Sequence, residues 1–326
     1  MNFDIALSLF STLNLLRKQQ KFWLLIKNSD EMKRILVLVF LSFVASVSAQ
    51  IKTTYSYAIK ETDTLKLDVY TPENIEKDAK LPVLLWMHGG GFSIGSRNYI
   101  DDAKLCETVT KYGYVGISIS YRLLRKGTTT QFGCLCSKEE KLETFKQASI
   151  DYLDAAAFVV NNADFLNIDA SKIIAGGSSA GAEGSLNAVY MRDYFADDLQ
   201  KYKNVKFSGI FSAGGAMVDA NYITEANAVP SVLFHGTDDN LVPFGTAPHH
   251  FCDVEEPGYI MLDGSKTIVE KLDAFEKAYY FNIVKGGRHE VSAIPFDELD
   301  NVFKFFEQTV LNNEIIQTKI IKTKSL

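Results

Sequence analysis

Gly177-Ser178-Ser179-Ala180-Gly181 stands between a short apolar run, Lys172-Ile173-Ile174-Ala175, and a helix-compatible stretch from Ala182 to Arg192. Strand, tight Gly-x-Ser-x-Gly turn and helix is the layout of a nucleophile elbow. Packing a strand end against a helix start leaves no room for Cβ atoms beside the serine, and the turn strains its backbone. Such a turn would hold the Ser179 hydroxyl out at the top of a sheet. The Ala180 amide, at the helix N-terminus, would point at whatever that hydroxyl attacks. The pentapeptide alone fits a plain strand-to-helix connection equally well, and three other stretches separate the two readings.

The first lies upstream. Val83-Leu84-Leu85-Trp86-Met87 is a continuous apolar run, which fits a strand buried on both faces. It delivers His88-Gly89-Gly90-Gly91-Phe92. Three consecutive glycines after a buried strand are costly unless the backbone must come close to something. Such a loop aims successive N–H groups at one point, and no Gly-Lys-Ser/Thr follows to make it a nucleotide phosphate loop. The other two stretches lie downstream. Ser231-Val232-Leu233-Phe234 ends in His235-Gly236-Thr237-Asp238-Asp239-Asn240-Leu241-Val242-Pro243, and Tyr280 to Val284 is followed by Lys285-Gly286-Gly287-Arg288-His289-Glu290. A serine hydroxyl is a poor nucleophile until a base takes its proton. Histidine is suited to accept that proton and return it, and a carboxylate holds the imidazole tautomer.

The rest of the chain supplies the frame. Thr53 to Ile59 and Leu65 to Tyr70 alternate and read as a leading antiparallel hairpin. Asp101 to Tyr112 reads as a helix, Tyr114 to Tyr121 as a buried strand, and Leu142 to Asn162 as a long helix. Phe207 to Phe211 is a further strand, Ser265 to Ala278 is amphipathic, and Phe296 to Gln308 closes the domain as a helix. Strands alternating with helices predict an α/β fold, a mostly parallel sheet with helices on both faces. Function then belongs at the carboxyl ends of the strands, where all four motifs fall.

Hydrophobic residues at 47% and charged residues at 23% are ordinary globular composition. A net charge of −6, with no basic stripe before the tail, gives no reason to expect a nucleic-acid partner. Met32-Lys33-Arg34, the apolar Ile35 to Val44 and the small residues Val47-Ser48-Ala49 have the form of a secretory signal peptide cleaved near Ala49. The apolar run is too short for a membrane span, which needs about 20 residues. Residues 1–31 then read as a spurious extension ahead of a start at Met32. The expected organisation is signal peptide 32–49, catalytic domain 50–312 and a frayed basic tail 313–326. Export, to a periplasm or to the outside, makes disulfides possible among Cys106, Cys134, Cys136 and Cys252. Cys134 and Cys136 are too close to pair comfortably with each other, so one of them is expected to reach Cys252 or Cys106. No nearby His or second Cys pair makes the Cys-x-Cys a metal site.

From Thr53 to Gln308 the chain resembles the α/β-hydrolases, specifically the esterase/lipase group with an HGGG-type oxyanion loop, carried here by His88-Gly89-Gly90-Gly91. The resemblance implies a catalytic set in the order Ser179, Asp239, His289, with the amides of Gly90, Gly91 and Ala180 as the oxyanion hole. The family pattern His-Gly-x-x-Asp-x-x-Val-Pro selects Asp239 over Asp238, and Ser178 is off the centre of Gly-x-Ser-x-Gly. His88 and His235 are expected to brace their loops, His249 and His250, near the acid loop, to lie at the surface, with lining of the pocket as the other reading, and Glu183 to bond locally. The chain departs from hormone-sensitive-lipase-like relatives in carrying Ser178 where many have Asp, and in lacking room for a large N-terminal cap. An open cleft covered by the loops 125–138 and 244–258 follows, without interfacial activation. The implied activity is that of an exported serine carboxylesterase on short acyl esters, acetyl or feruloyl groups on a small molecule or polysaccharide. No cofactor and no metal is called for, and a monomer or small homo-oligomer without stable membrane insertion is expected. A serine peptidase, or a non-catalytic binder on the same fold, is the alternative.

Overall fold

β3 (Leu81–Met87), the apolar run that feeds the Gly-rich loop, lies inside a nine-stranded sheet. The computed structural model describes residues 51–324 apart from 62, 74, 77 and 78, so the readings made on residues 1–49 lie outside the described residues. The sheet begins with the hairpin β1 (Ile51–Lys60) and β2 (Asp63–Thr71), and β2 runs antiparallel to β4 (Val115–Ile119). From β4 onward every pairing is parallel: β3, β5 (Ile168–Ser178), β6 (Gly209–Ala213), β8 (Ser231–Gly236), β11 (Tyr279–Lys285) and β12 (Gln317–Thr323). The carboxyl ends of β3, β5, β8 and β11 therefore share one edge.

Alternation along β3 shows how both faces are covered. Val83, Leu85 and Met87 enter one core, with Phe145 and Leu153 of α2 (Lys138–Asn161), Leu186 of α3 (Ala180–Tyr190) and Ile268 of α4 (Ser265–Ala274). Leu84 and Trp86 enter the other, with Leu105 of α1 (Ile100–Thr108) and Phe303 and Phe306 of α5 (Leu299–Phe306). A side-chain period of two on a strand buried on both sides requires this split.

The structure departs from the sequence reading at three places. α2 starts at Lys138 rather than Leu142 because Ser137 and Glu140 close a capping box. A small sheet of β7 (Ala216–Met217), β10 (Met261–Gly264) and β9 (Thr246–Pro248) sits beyond the main one. Its strands are too short to leave a periodic signal. The tail expected to fray instead forms β12, which adds a parallel strand to the edge at β11, with Lys322 paired to Glu298 and Lys324 to Glu290. No helix among the described residues is long and apolar enough to cross a membrane.

Candidate active site

Ser179 follows β5 directly and serves as the N-cap of α3, with φ 51° and ψ −124°. A non-glycine residue rarely adopts that conformation. It is held there by its own amide, which donates to the Ala213 carbonyl at 2.8 Å, and by glycines on either side. A Cβ on Gly177 would lie 2.3 Å from the Gly181 backbone, and one on Gly181 would lie 2.0 Å from the Met87 carbonyl oxygen. The sequence reading required this crowding, and it locks the elbow against the end of β3.

His289 enters from the loop after β11. Its Nε2 lies 2.8 Å from Ser179 Oγ, and its Nδ1 lies 2.8 Å from Asp239 Oδ2. A carboxylate cannot donate, so Nδ1 carries the hydrogen and Nε2 is left to accept the Ser179 O–H. Asp239 is buried at the end of β8. Its Oδ1 accepts the amides of Leu241 and Val242 at 2.9 and 3.0 Å. Burial would raise its pKa, but the hydrogen bonds from His235 and His289 outweigh burial and hold the carboxyl well below the usual range. Asp238 is exposed and takes no part in this chain of contacts. His235 braces the acid loop, with Nδ1 2.8 Å from Ser265 Oγ and Nε2 3.1 Å from the Val242 carbonyl.

Gly90 and Gly91 adopt φ values of 114° and 58° and line the cleft beside Ser179 and Ala180. Among the described residues, no acceptor takes the amides of Gly90, Gly91 or Ala180. His88 anchors the loop, its Nδ1 2.7 Å from the Gly89 carbonyl, while the Tyr121 hydroxyl donates to the His88 carbonyl at 3.0 Å. Burial pushes the His88 imidazole down to about 4, which keeps it neutral.

The cleft measures about 1490 Å³ and is walled by the loops at 125–133 and 249–250 as well as by the four motifs. Cys134 and Cys252 form a disulfide that ties those two loops together, and the Gly258 amide donates to the Cys134 carbonyl beside it. Cys106 and Cys136 are buried thiols. Cys134, Cys252 and Glu256 bring potential ligand atoms within 4.8 Å of one another, but a sulfur spent in a disulfide is not a thiolate ligand.

Two expectations are corrected here. His249 is not at the surface but 1% exposed, with the rings of Phe132 and Phe145 packed against it at 5.1 and 6.0 Å. Glu183 is not a local hydrogen-bonding side chain. It is buried in the cleft wall, where desolvation pushes its carboxyl well above the usual carboxylate range. Its position four residues after Ser179 was the available signal, since that spacing shares a helix face.

A family model described as the carboxylesterase family matches residues 42–230. Lipase 5 of Diutina rugosa is 29% identical over half of this chain and 30% of its own length. Carboxylesterase 1E of Rattus norvegicus is 31% identical over 55% of this chain and again 30% of its own. The chain thus spans under a third of the length of these curated relatives. The structure of Thermogutta terrifontis esterase 2 phosphorylated by paraoxon superposes with a TM-score of 0.57 at 18% identity, covering 82% of this chain and 96% of that one. The architecture is the α/β-hydrolase fold.

Proposed function

The chain belongs to the carboxylesterase family, and from that premise we propose that it is a serine carboxylic-ester hydrolase acting through Ser179, His289 and Asp239. The observation that carries this reading is the unbroken relay from Ser179 Oγ through His289 to Asp239, with 2.8 Å at both links. His289 takes the hydroxyl proton as Ser179 Oγ attacks the ester carbonyl. Asp239, held ionised, stabilises the imidazolium and keeps Nε2 aimed at the reacting atoms. The negative charge that develops on the carbonyl oxygen falls to the Gly90, Gly91 and Ala180 amides, and losing one such donor typically costs about 3 kcal/mol of barrier. His289 then protonates the departing alcohol, and water repeats the sequence on the acyl-enzyme.

The substrates we infer are short acyl esters, acetyl or feruloyl groups borne by a larger alcohol such as a polysaccharide. A cleft of about 1490 Å³ exceeds what a small ester fills and suits a bulky alcohol portion. The apolar segment ahead of Gln50 supports export to a periplasm or the medium, where the Cys134–Cys252 bridge persists. The test is hydrolysis of p-nitrophenyl esters from acetate to laurate. Turnover highest on acetate or butyrate, and abolished in Ser179→Ala, is the expected result. Folded wild type that turns over none of them would overturn the reading.

A further inference from the structure

The wall of the cleft holds two side chains that the relay does not use. Glu183 lies one helical turn after Ser179 on α3, and its amide donates to the Ser179 carbonyl at 2.9 Å. His249 reaches the same wall from the turn after β9. They are 2% and 1% exposed, yet both line the cleft alongside Ser179 and His289. Glu183 Oε1 and His249 Nε2 stand 3.4 Å apart. Neither atom, nor His249 Nδ1, has a hydrogen-bond partner among the described residues.

Buried polar atoms are nearly always paired, and each orphan costs free energy that a ligand group recovers on binding. The surroundings offer no substitute. Phe132 and Phe145 pack on the His249 ring, and Lys141 beneath them donates to the Gly258 carbonyl at 2.7 Å. Burial favours the neutral form of both groups, pushing the Glu183 carboxyl up and the His249 imidazole down. A neutral carboxylic acid presents one donor and free acceptors, and a neutral imidazole presents one of each. The partner that matches is a neutral group that donates to one and accepts from the other.

We propose that Glu183 and His249 form a specificity subsite for a hydroxyl group carried by the substrate next to its scissile ester. The inference rests on the ester-hydrolase reading and deepens it. An alkyl ester of the same shape would enter the cleft but leave the orphaned atoms unpaired, so hydroxylated substrates are selected over their methyl isosteres.

The experiment uses the full chain and two isosteric pairs. On the acyl side, p-nitrophenyl 3-hydroxybutyrate is compared with p-nitrophenyl 3-methylbutyrate. On the alcohol side, 2-hydroxypropyl acetate is compared with isobutyl acetate. Each kcat/KM ratio is divided by the ratio of the alkaline hydrolysis rates. The expected result is a preference of about 10- to 100-fold for the hydroxylated member of one pair, which identifies the side of the ester that occupies the subsite. That preference falls to within about threefold in Glu183→Met and His249→Phe, and in the double variant, whose apolar pair replaces both orphans at once. General damage to the site would lower both members of a pair and leave their ratio intact. Ratios near one in both pairs, or a preference that the variants keep, would overturn the subsite while turnover of p-nitrophenyl acetate leaves the hydrolase reading standing. Absence of any ester turnover would remove both.

Discussion

At the scale of single residues, the chemistry depends on which atom of His289 carries the proton, and that is decided by Asp239. Asp239→Asn keeps the shape but offers an amide N–H where the imidazole needs an acceptor, which favours the wrong tautomer. The account predicts a fall in kcat on the order of 10⁴-fold with little change in Tm, read by steady-state kinetics beside thermal melts. A loss under tenfold would contradict the assigned role. Ser179 was legible as a candidate because the elbow's backbone leaves a mark, glycines where a Cβ would strike the chain, whereas Asp239 and His289 were placed as candidates by the family resemblance, whose pattern preferred Asp239 to Asp238. Glu183 and His249 left no such mark. The burial of His249 is set by Phe132 and Phe145, which pack on its ring from distant segments, and a residue's own neighbours in sequence do not encode that.

Among the elements, α2 and the two loops over the cleft are fixed by a few long-range contacts. Arg122, after β4, pairs with the fully buried Asp151 of α2, with Nη2–Oδ1 at 2.6 Å and Nε–Oδ2 at 3.0 Å. Arg122→Ala leaves that buried carboxylate with the backbone amide of residue 122 but without its guanidinium, and should destabilise the protein by about 3–5 kcal/mol, measured by urea unfolding. A change under about 1 kcal/mol would show that the pair is dispensable. The Cys134–Cys252 bridge spans 118 residues and holds both loops over the cleft. Replacing both cysteines by alanine should cost about 2–5 kcal/mol and raise KM more than it lowers kcat, since the relay lies on other segments. An unchanged KM would mean that the loops hold their places without the bridge. The sequence reading confined the pairing to Cys134 or Cys136 reaching Cys252 or Cys106, and only the fold chooses among these, because it sets Cys134 against Cys252 and leaves Cys106 and Cys136 as buried thiols. The strand β12 was missed for a related reason. Gln317 to Thr323 carries lysines among its apolar residues, the pattern that protects a sheet edge and that also resembles a solvated tail.

For the whole molecule, burial of titratable groups sets how stability follows pH. His88 and His250 are pushed down to about 4, so the unfolded chain binds more protons than the folded one between about 6.5 and 4. Their contribution is fully present above that window and is lost as pH falls through it. Asp102 opposes them, because burial raises its carboxyl to about 6 and favours the protonated form in the fold. His249, pushed down by burial as well, acts with them, while Glu183 and Asp151, pushed up by burial, act with Asp102. Because all three imidazoles cross their ordinary range inside this window, Tm should decline from pH 7 to pH 4.5, and His250→Gln should flatten the decline. A Tm that rises over that range would contradict these assignments. The parallel sheet and its helices were legible from the alternation of apolar runs and amphipathic stretches, whereas the small sheet of β7, β9 and β10 was not, since it depends on packing rather than on period. The central claim is that one strained serine, set at the junction of β5 and α3, is the nucleophile. It is tested most directly by intact mass and peptide mapping after treatment with a phosphorylating organophosphate ester. The account predicts one covalent adduct on Ser179, with ester turnover lost in proportion to labelling and no adduct in Ser179→Ala. Labelling of Ser178 or another serine, or full turnover with Ser179 modified, would contradict it.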